Sequence, residues 1–198
     1  AGGNDSLTIN GLTSSSVYGA AGGDTLIVTG GSTNRFDLGA GTNYATGAGA
    51  LVSSTLLSGS GADKLIVMGA TTGYIDAGAG ADSLVFNGVV KGASTSTMAT
   101  ILGGTGADTL DFSTSVQYAT ILGGTDTASR LVFDTAVDDS TVRGGTGKDT
   151  VTITGIHQNS LIATGAEADI LTFSGGATGS SIYAGSGNDS VVFGGAAT

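Results

Sequence analysis

The sequence predicts an all-β fold, a parallel β-solenoid of about ten ~20-residue coils with one Gly-x-Gly-x-Asp turn per coil. Three observations predict it. A run of the form Gly-x-Gly-x-Asp-x-apolar-x-apolar recurs along the chain, a second apolar column stands seven residues before each Asp, and the 198 residues hold 37 glycines but no proline.

The run reads Gly59-Ser60-Gly61-Ala62-Asp63-Lys64-Leu65-Ile66-Val67, then Gly78-Ala79-Gly80-Ala81-Asp82-Ser83-Leu84-Val85-Phe86. Further copies centre on Asp108, Asp149 and Asp189, while Asp5, Asp24 and Asp169 stand in copies that lack one glycine. Asn43 fills the Asp slot once, after Gly39 and Gly41. Slots from Asp5 to Asp108 are separated by 19, 19, 20, 19 and 26 residues, and those from Asp149 to Asp189 by 20 and 20. Seven residues before the slot stand Val17, Phe36, Leu56, Ile75, Ile101, Val142, Ile162 and Ile182. Two and four residues after it come pairs such as Leu26/Val28, Leu65/Val67, Leu110/Phe112 and Leu171/Phe173. That period-two spacing puts both side chains on one face of a strand.

Each unit is therefore expected to be a short strand, a Gly-rich turn, a second strand, and a polar return loop. Neither strand can bury its apolar face alone, so units must stack. Gly88 to Met98 accounts for the 26-residue step and is expected to bulge as a loop insertion (88–98) without shifting the Asp column. Proline would remove a ladder donor in almost any strand, which fits its absence. The pattern opens and closes inside a repeat, so residues 1–198 are expected to be a single solenoid domain cut from a longer repeat protein.

Composition excludes several function classes. Net charge is −10, and the six basic residues are scattered, which leaves no footprint for nucleic acid or an anionic membrane. No apolar run approaches the ~18 residues of a membrane span, and the chain does not open on a signal peptide. Absence of cysteine excludes a disulfide scaffold and thiol catalysis.

Eight of the sixteen acidic residues occupy the repeated slot. Stacking brings neighbouring carboxylates to roughly 4.8 Å, where two charges repel by about 1 kcal/mol in water and several-fold more when partly buried. Such a ladder calls for neutralisation. Carboxylates with backbone carbonyls freed by glycine turns are hard oxygen ligands that suit Ca²⁺. The alternative is a hydrogen-bonded Asp ladder that caps turns without metal.

The repeat resembles the glycine-aspartate nonapeptide of the RTX family, Gly-Gly-x-Gly-x-Asp-x-apolar-x, over essentially the whole chain. The closest copies run Gly103-Gly104-Thr105-Gly106-Ala107-Asp108 and Gly144-Gly145-Thr146-Gly147-Lys148-Asp149. The resemblance implies a calcium-binding β-roll, with Asp5, Asp24, Asn43, Asp63, Asp82, Asp108, Asp149, Asp169 and Asp189 as metal residues. RTX coils carry the motif on both sides of an ~18-residue coil; here it stands on one side only, which predicts a single calcium column. Asn43 keeps an oxygen but loses a charge, so its interfaces are expected to bind more weakly. Glu167 replaces the second glycine before Asp169 and is expected to distort that turn. One irregular unit, Gly123 to Phe133, has no Asp in the slot, and Arg130 is expected to supply its own charge there.

Little points to catalysis. The only histidine, His157, falls in a stretch expected to be a solvated return loop. No histidine–acid pair accompanies a nucleophile. Asp138 and Asp139, with Asp134 and Arg143 nearby, read as a polar loop, and Arg35, Arg130 and Arg143 are too dispersed for a lyase groove. Tyr18, Tyr44, Tyr74, Tyr118 and Tyr183 are too irregular for a sugar-stacking platform. The reading reached is a non-enzymatic, secreted, extracellular structural protein of a bacterial surface layer or sheath, stabilised by Ca²⁺. Its expected partners are other copies or cell-surface glycans, without nucleic acid or membrane insertion. The alternatives are a calcium-dependent adhesin or ice-binding segment, and a non-catalytic RTX module of a secreted polysaccharide-acting enzyme. Ice binding calls for regular Thr and Asn around the turn, which pairs such as Ser60/Ala62 and Ala79/Ala81 do not supply.

Overall fold

The computed structural model describes residues 2–47 and 49–195. They form a parallel β-solenoid of three sheets, one with ten strands and two with nine, so nine coils are complete and a tenth contributes its first strand. A representative coil starts with Lys64–Val67 in the first sheet, turns into Ala70–Thr71 in the second, and continues through Tyr74–Asp76 in the third. The Gly78–Asp82 turn then returns the chain to the first sheet at Ser83–Phe86. No helix among the described residues is long and apolar enough to cross a membrane.

The second sheet is a departure from expectation. The polar return segment is not a loop but a column of two-residue strands, including Leu51–Val52, Val90–Lys91, Val116–Gln117 and Val137–Asp138. Two residues are too short to display a period-two signal, yet the first of each faces inward: Leu51, Ala70, Val90, Val116 and Val137 are all buried. Between second and third sheets the backbone takes a left-handed corner in most coils, at Ser14, Thr33, Ser53, Thr72, Tyr118, Asp139 and Asn159, with φ between 46 and 59°. None of these is glycine, so the corner is imposed by the ladders on either side.

Register is strict. Leu65 pairs with Leu84 and Val67 with Phe86, then Leu84 with Leu110 and Phe86 with Phe112. The same side chain therefore recurs above itself, and the core is a set of columns. Phe86, Phe112 and Phe133 stack at centroid separations of 4.6 and 4.7 Å with nearly parallel rings. From the third sheet Phe36, Leu56, Ile75, Ile101, Ile121, Val142 and Ile162 complete the interior. The weak point is the coil of Asn43, where Ala45 and Gly47 stand in place of the Leu and Val or Phe of other coils. A small apolar cavity bounded by Val28, Phe36, Leu51 and Leu56 lies beside them.

The insertion departs from the coil at Gly92 and rejoins it at Ala99–Leu102, with Ser94 and Thr97 bridged antiparallel across its tip. Asp82 and Asp108 keep their mutual register across it, as expected of a loop insertion.

Candidate functional site: the Asp column

The Asp slot lies at the corner where the third sheet turns into the first. Glycines there make room for the next coil. Gly104 has φ +107°, and a Cβ on it would lie 1.9 Å from the Gly78 carbonyl oxygen. Where glycine is missing, the conformation persists: Ala20 has φ 87° and Glu167 has φ 76°. Glu167 leaves the Asp column in register, because the Asp149 amide still donates to Asp169 Oδ1 at 2.8 Å.

The slot side chains point inward. Asp24, Asn43, Asp63, Asp82, Asp108, Asp149 and Asp169 are between 1 and 3% exposed. Each offers Oδ1 to the backbone amide of the preceding coil's slot residue. Asp5 N reaches Asp24 at 2.9 Å, Asp24 N reaches Asn43 at 2.9 Å, Asn43 N reaches Asp63 at 2.6 Å, Asp63 N reaches Asp82 at 2.7 Å and Asp82 N reaches Asp108 at 2.9 Å. The series resumes with Ser129 N to Asp149 at 2.7 Å and ends with Asp169 N to Asp189 at 3.0 Å. Asp5 is exposed and Asp189 half-buried, at the two ends of the column.

The second oxygen behaves differently. Oδ2 of Asp24, Asp63, Asp82, Asp108, Asp149 and Asp169 is buried without a hydrogen-bond partner. Burial raises four of them: Asp82 is pushed up to about 7 and Asp108 and Asp149 to about 6, against hydrogen bonds that pull the other way, and Asp63 is raised as well. Neighbouring carboxylates, Asp108 and Asp63, raise Asp82 further.

The irregular coil fills the slot with Ser129, which is 3% exposed and whose hydroxyl has no partner. Arg130, expected to bring charge into the slot, instead starts the next strand and is exposed. Alternation along the strand explains this, since adjacent side chains point to opposite faces. Asp126 instead mends the turn by accepting the Gly106 amide at 2.8 Å, a role taken by a backbone carbonyl in neighbouring coils. Ser129 thus divides the column into Asp5 to Asp108 and Asp149 to Asp189.

A second polar column, absent from the sequence reading, runs along the corner between the second and third sheets. Asn34, Ser54, Ser140, Ser160 and Ser180 accept the amides of Ser15, Asn34, Ala119, Ser140 and Ser160 in turn. Their hydroxyls also donate; Ser160 Oγ, for example, reaches the carbonyls of Val137 and Gln158 at 3.0 and 2.9 Å. The signal was available, since these residues stand nine positions before their slots. Here every group is satisfied. Two ladders of one design therefore differ in one respect: the side chains of the second column are all hydrogen-bonded, whereas six Asp residues lack a partner for one oxygen.

No family model, curated protein or solved structure matches the chain.

The donor set fits a hard cation. Asn43 marks where one would sit, because its Nδ2 lies 2.8 Å from the Ser58 carbonyl, 3.1 Å from Gly41 and 3.3 Å from Gly39. Three carbonyl oxygens thus converge on the atom that is Oδ2 in an aspartate. One of these carbonyls, that of the following coil, recurs near Asp24 and Asp108 Oδ2. A Cβ on Gly19 would meet both Asp24 Oδ2 and the Leu38 carbonyl, and one on Gly103 both Asp108 Oδ2 and the Gly123 carbonyl. A carboxylate oxygen facing carbonyl oxygens is repulsive unless a proton or cation lies between them. Among the described residues no three acidic or imidazole groups converge, so any cation would be held by one carboxylate oxygen, carbonyls and water, all of which suit Ca²⁺.

The remaining candidates lie elsewhere. His157 is not a solvated loop residue: it is fully buried in the second sheet, its ring centroid 5.0 Å from that of Phe173, with neither ring nitrogen hydrogen-bonded. Burial lowers its proton affinity, partly offset by Asp138. Arg35 pairs with Asp37 at 2.7 Å on the outer face of the third sheet, and Arg143 borders a shallow groove floored by Gly145 and Gly165.

Proposed function

We propose that the protein is an extracellular structural element of a bacterial surface layer or sheath, a solenoid whose coils are clamped by Ca²⁺ along the Asp column. The observation that carries this reading is the row of buried Oδ2 atoms without partners, in the same register position as the Asn43 side-chain nitrogen on which three carbonyls converge. Asp24, Asp63, Asp82, Asp108, Asp149 and Asp169 would hold the ions, with carbonyls of their own turn and of the next coil. When bound, Ca²⁺ supplies positive charge that cancels carboxylate repulsion and joins adjacent coils. The chain's own part is to fix one carboxylate oxygen on a backbone amide, which aims the other at the carbonyls.

A structural role is favoured over a catalytic one by where the ionisable groups lie. The acidic column is at most 3% exposed from Asp24 to Asp169, and His157 is sealed in the core, so neither faces a substrate. Against ice binding stands the outward row of the first sheet, which runs Thr8, Ile27, Thr46, Ile66, Val85, Asp111, Val132, Thr152 and Thr172 without a regular Thr array.

The test is assembly. Metal-free protein supplied with millimolar calcium is expected to form ordered sheets or filaments visible by negative-stain electron microscopy. Monodisperse protein by ultracentrifugation at the same calcium concentration would count against the lattice role.

A further inference from the structure

We infer that Asn43 is a built-in substitute for the cation: its side-chain amide does in one coil, without metal, what a carboxylate and a bound ion do in the others. The inference rests on the calcium reading of the Asp column for its second half, and on the geometry at Asn43 for its first.

Asn43 is 1% exposed. Its Oδ1 accepts the Asp24 amide at 2.9 Å, as each Asp Oδ1 accepts the amide of the coil before it. Its Nδ2 then faces the Gly39, Gly41 and Ser58 carbonyls, two from its own turn and one from the coil that follows. Only one orientation of the amide places donor on acceptors and acceptor on donor. Register carries the three carbonyls onto Gly78, Gly80 and Gly103 around Asp82, whose Oδ2 is isosteric with Nδ2 but has no partner. Asparagine and aspartate have the same shape, so the two turns differ in a single respect. One has a neutral donor with two hydrogens at the point where the carbonyls meet, and the other has a negative acceptor there.

Two consequences separate Asn43 from a merely weakened calcium ligand. Its turn does not need the ion, because the two Nδ2 hydrogens serve the carbonyls of Gly41 and Ser58 and the Ser60 amide donates to that of Gly39 at 3.2 Å. It also rejects the ion, because the NH₂ group points its protons at the position a cation would take. The coil that keeps its turn without metal is also the coil with the poorest core, where Ala45 and Gly47 leave a cavity. A self-sufficient turn compensates for missing apolar contacts there.

The experiment is a reciprocal pair, Asn43→Asp and Asp82→Asn, measured for calcium stoichiometry by equilibrium dialysis and for melting temperature in metal-free buffer at pH 8. Asn43→Asp is expected to bind one more calcium per chain than wild type and, without metal, to melt about 5 °C lower. Asp82→Asn is expected to bind one fewer and to melt higher without metal. If wild type binds calcium and neither variant changes the stoichiometry, the inference is overturned while the calcium reading stands. If no form binds calcium, the calcium reading fails, and the metal-free melting order still decides the role of Asn43. An Asp82→Asn protein no more stable than wild type without metal overturns it. That variant adds a donor and removes a charge, so it keeps the test open if Asn43→Asp does not fold.

Discussion

The backbone amide of Asp63 donates to Oδ1 of Asp82 at 2.7 Å, and Oδ2 of Asp82 is buried with no partner. One carboxylate thus has two unequal oxygens, one spent on the coil before it and one left over. Asp82→Ala removes both and leaves the Asp63 amide buried and unpaired. That change is expected to cost about 1–3 kcal/mol even without metal, measured by urea denaturation of the metal-free protein.

The metal-free protein is expected to lose stability as pH rises. Asp82 is raised to about 7 and Asp108 and Asp149 to about 6, so the folded state holds protons that the unfolded chain, with carboxyls near 3.8, has released. Stability from this source is fully present below the unfolded value and is lost as pH climbs through the folded values. His157 has the opposite sign, since its proton affinity is lowered, but it is one imidazole against three carboxyls. Melting temperatures of metal-free protein should therefore fall from pH 4.5 to pH 8; a rise over that interval would contradict the buried-acid assignment.

The core columns carry the apolar part of the stability. Phe112 is fully buried between Phe86 and Phe133. Phe112→Ala is expected to cost about 3–5 kcal/mol, read from chemical denaturation, and to do so equally with and without calcium because the ring is held in the Phe86–Phe112–Phe133 stack, four residues past the Asp slot.

The hydroxyl column predicts a metal-independent loss. Ser160 accepts the Ser140 amide at 3.2 Å and donates to two carbonyls from a site 3% exposed. Ser160→Ala is expected to cost about 1–3 kcal/mol with the same value in calcium and in chelator. A calcium-dependent effect would mean that the two corners are coupled.

What the sequence disclosed depended on how far a signal extended along a strand. The first and third sheets were legible because Leu65/Val67 and Ile75 repeat at fixed offsets from an Asp. The second sheet was not, since two-residue strands such as Ala70–Thr71 cannot show alternation and their outward residues are polar. His157 was misplaced for that reason: it occupies the inward position of the column Val116, Val137, His157, Ala177, which reads as loop. The Asp column was found as a column, but its inner chemistry was hidden, because sequence cannot say which carboxylate oxygen meets an amide. Ser129 is not legible as a slot residue because the insertion ahead of it shifts the slot, and only pairing of Thr109 with Arg130 restores the count.

If the unpartnered Oδ2 atoms hold Ca²⁺, thermal melting at pH 8 differs between millimolar calcium and excess chelator. The structure predicts a large fall in melting temperature in chelator that is fully reversed by added calcium and not by magnesium, whose small octahedral shell fits carbonyl-rich turns poorly. Identical melting curves in calcium and in chelator would contradict calcium binding at the column, and would leave it as a hydrogen-bonded Asp ladder that caps turns without metal.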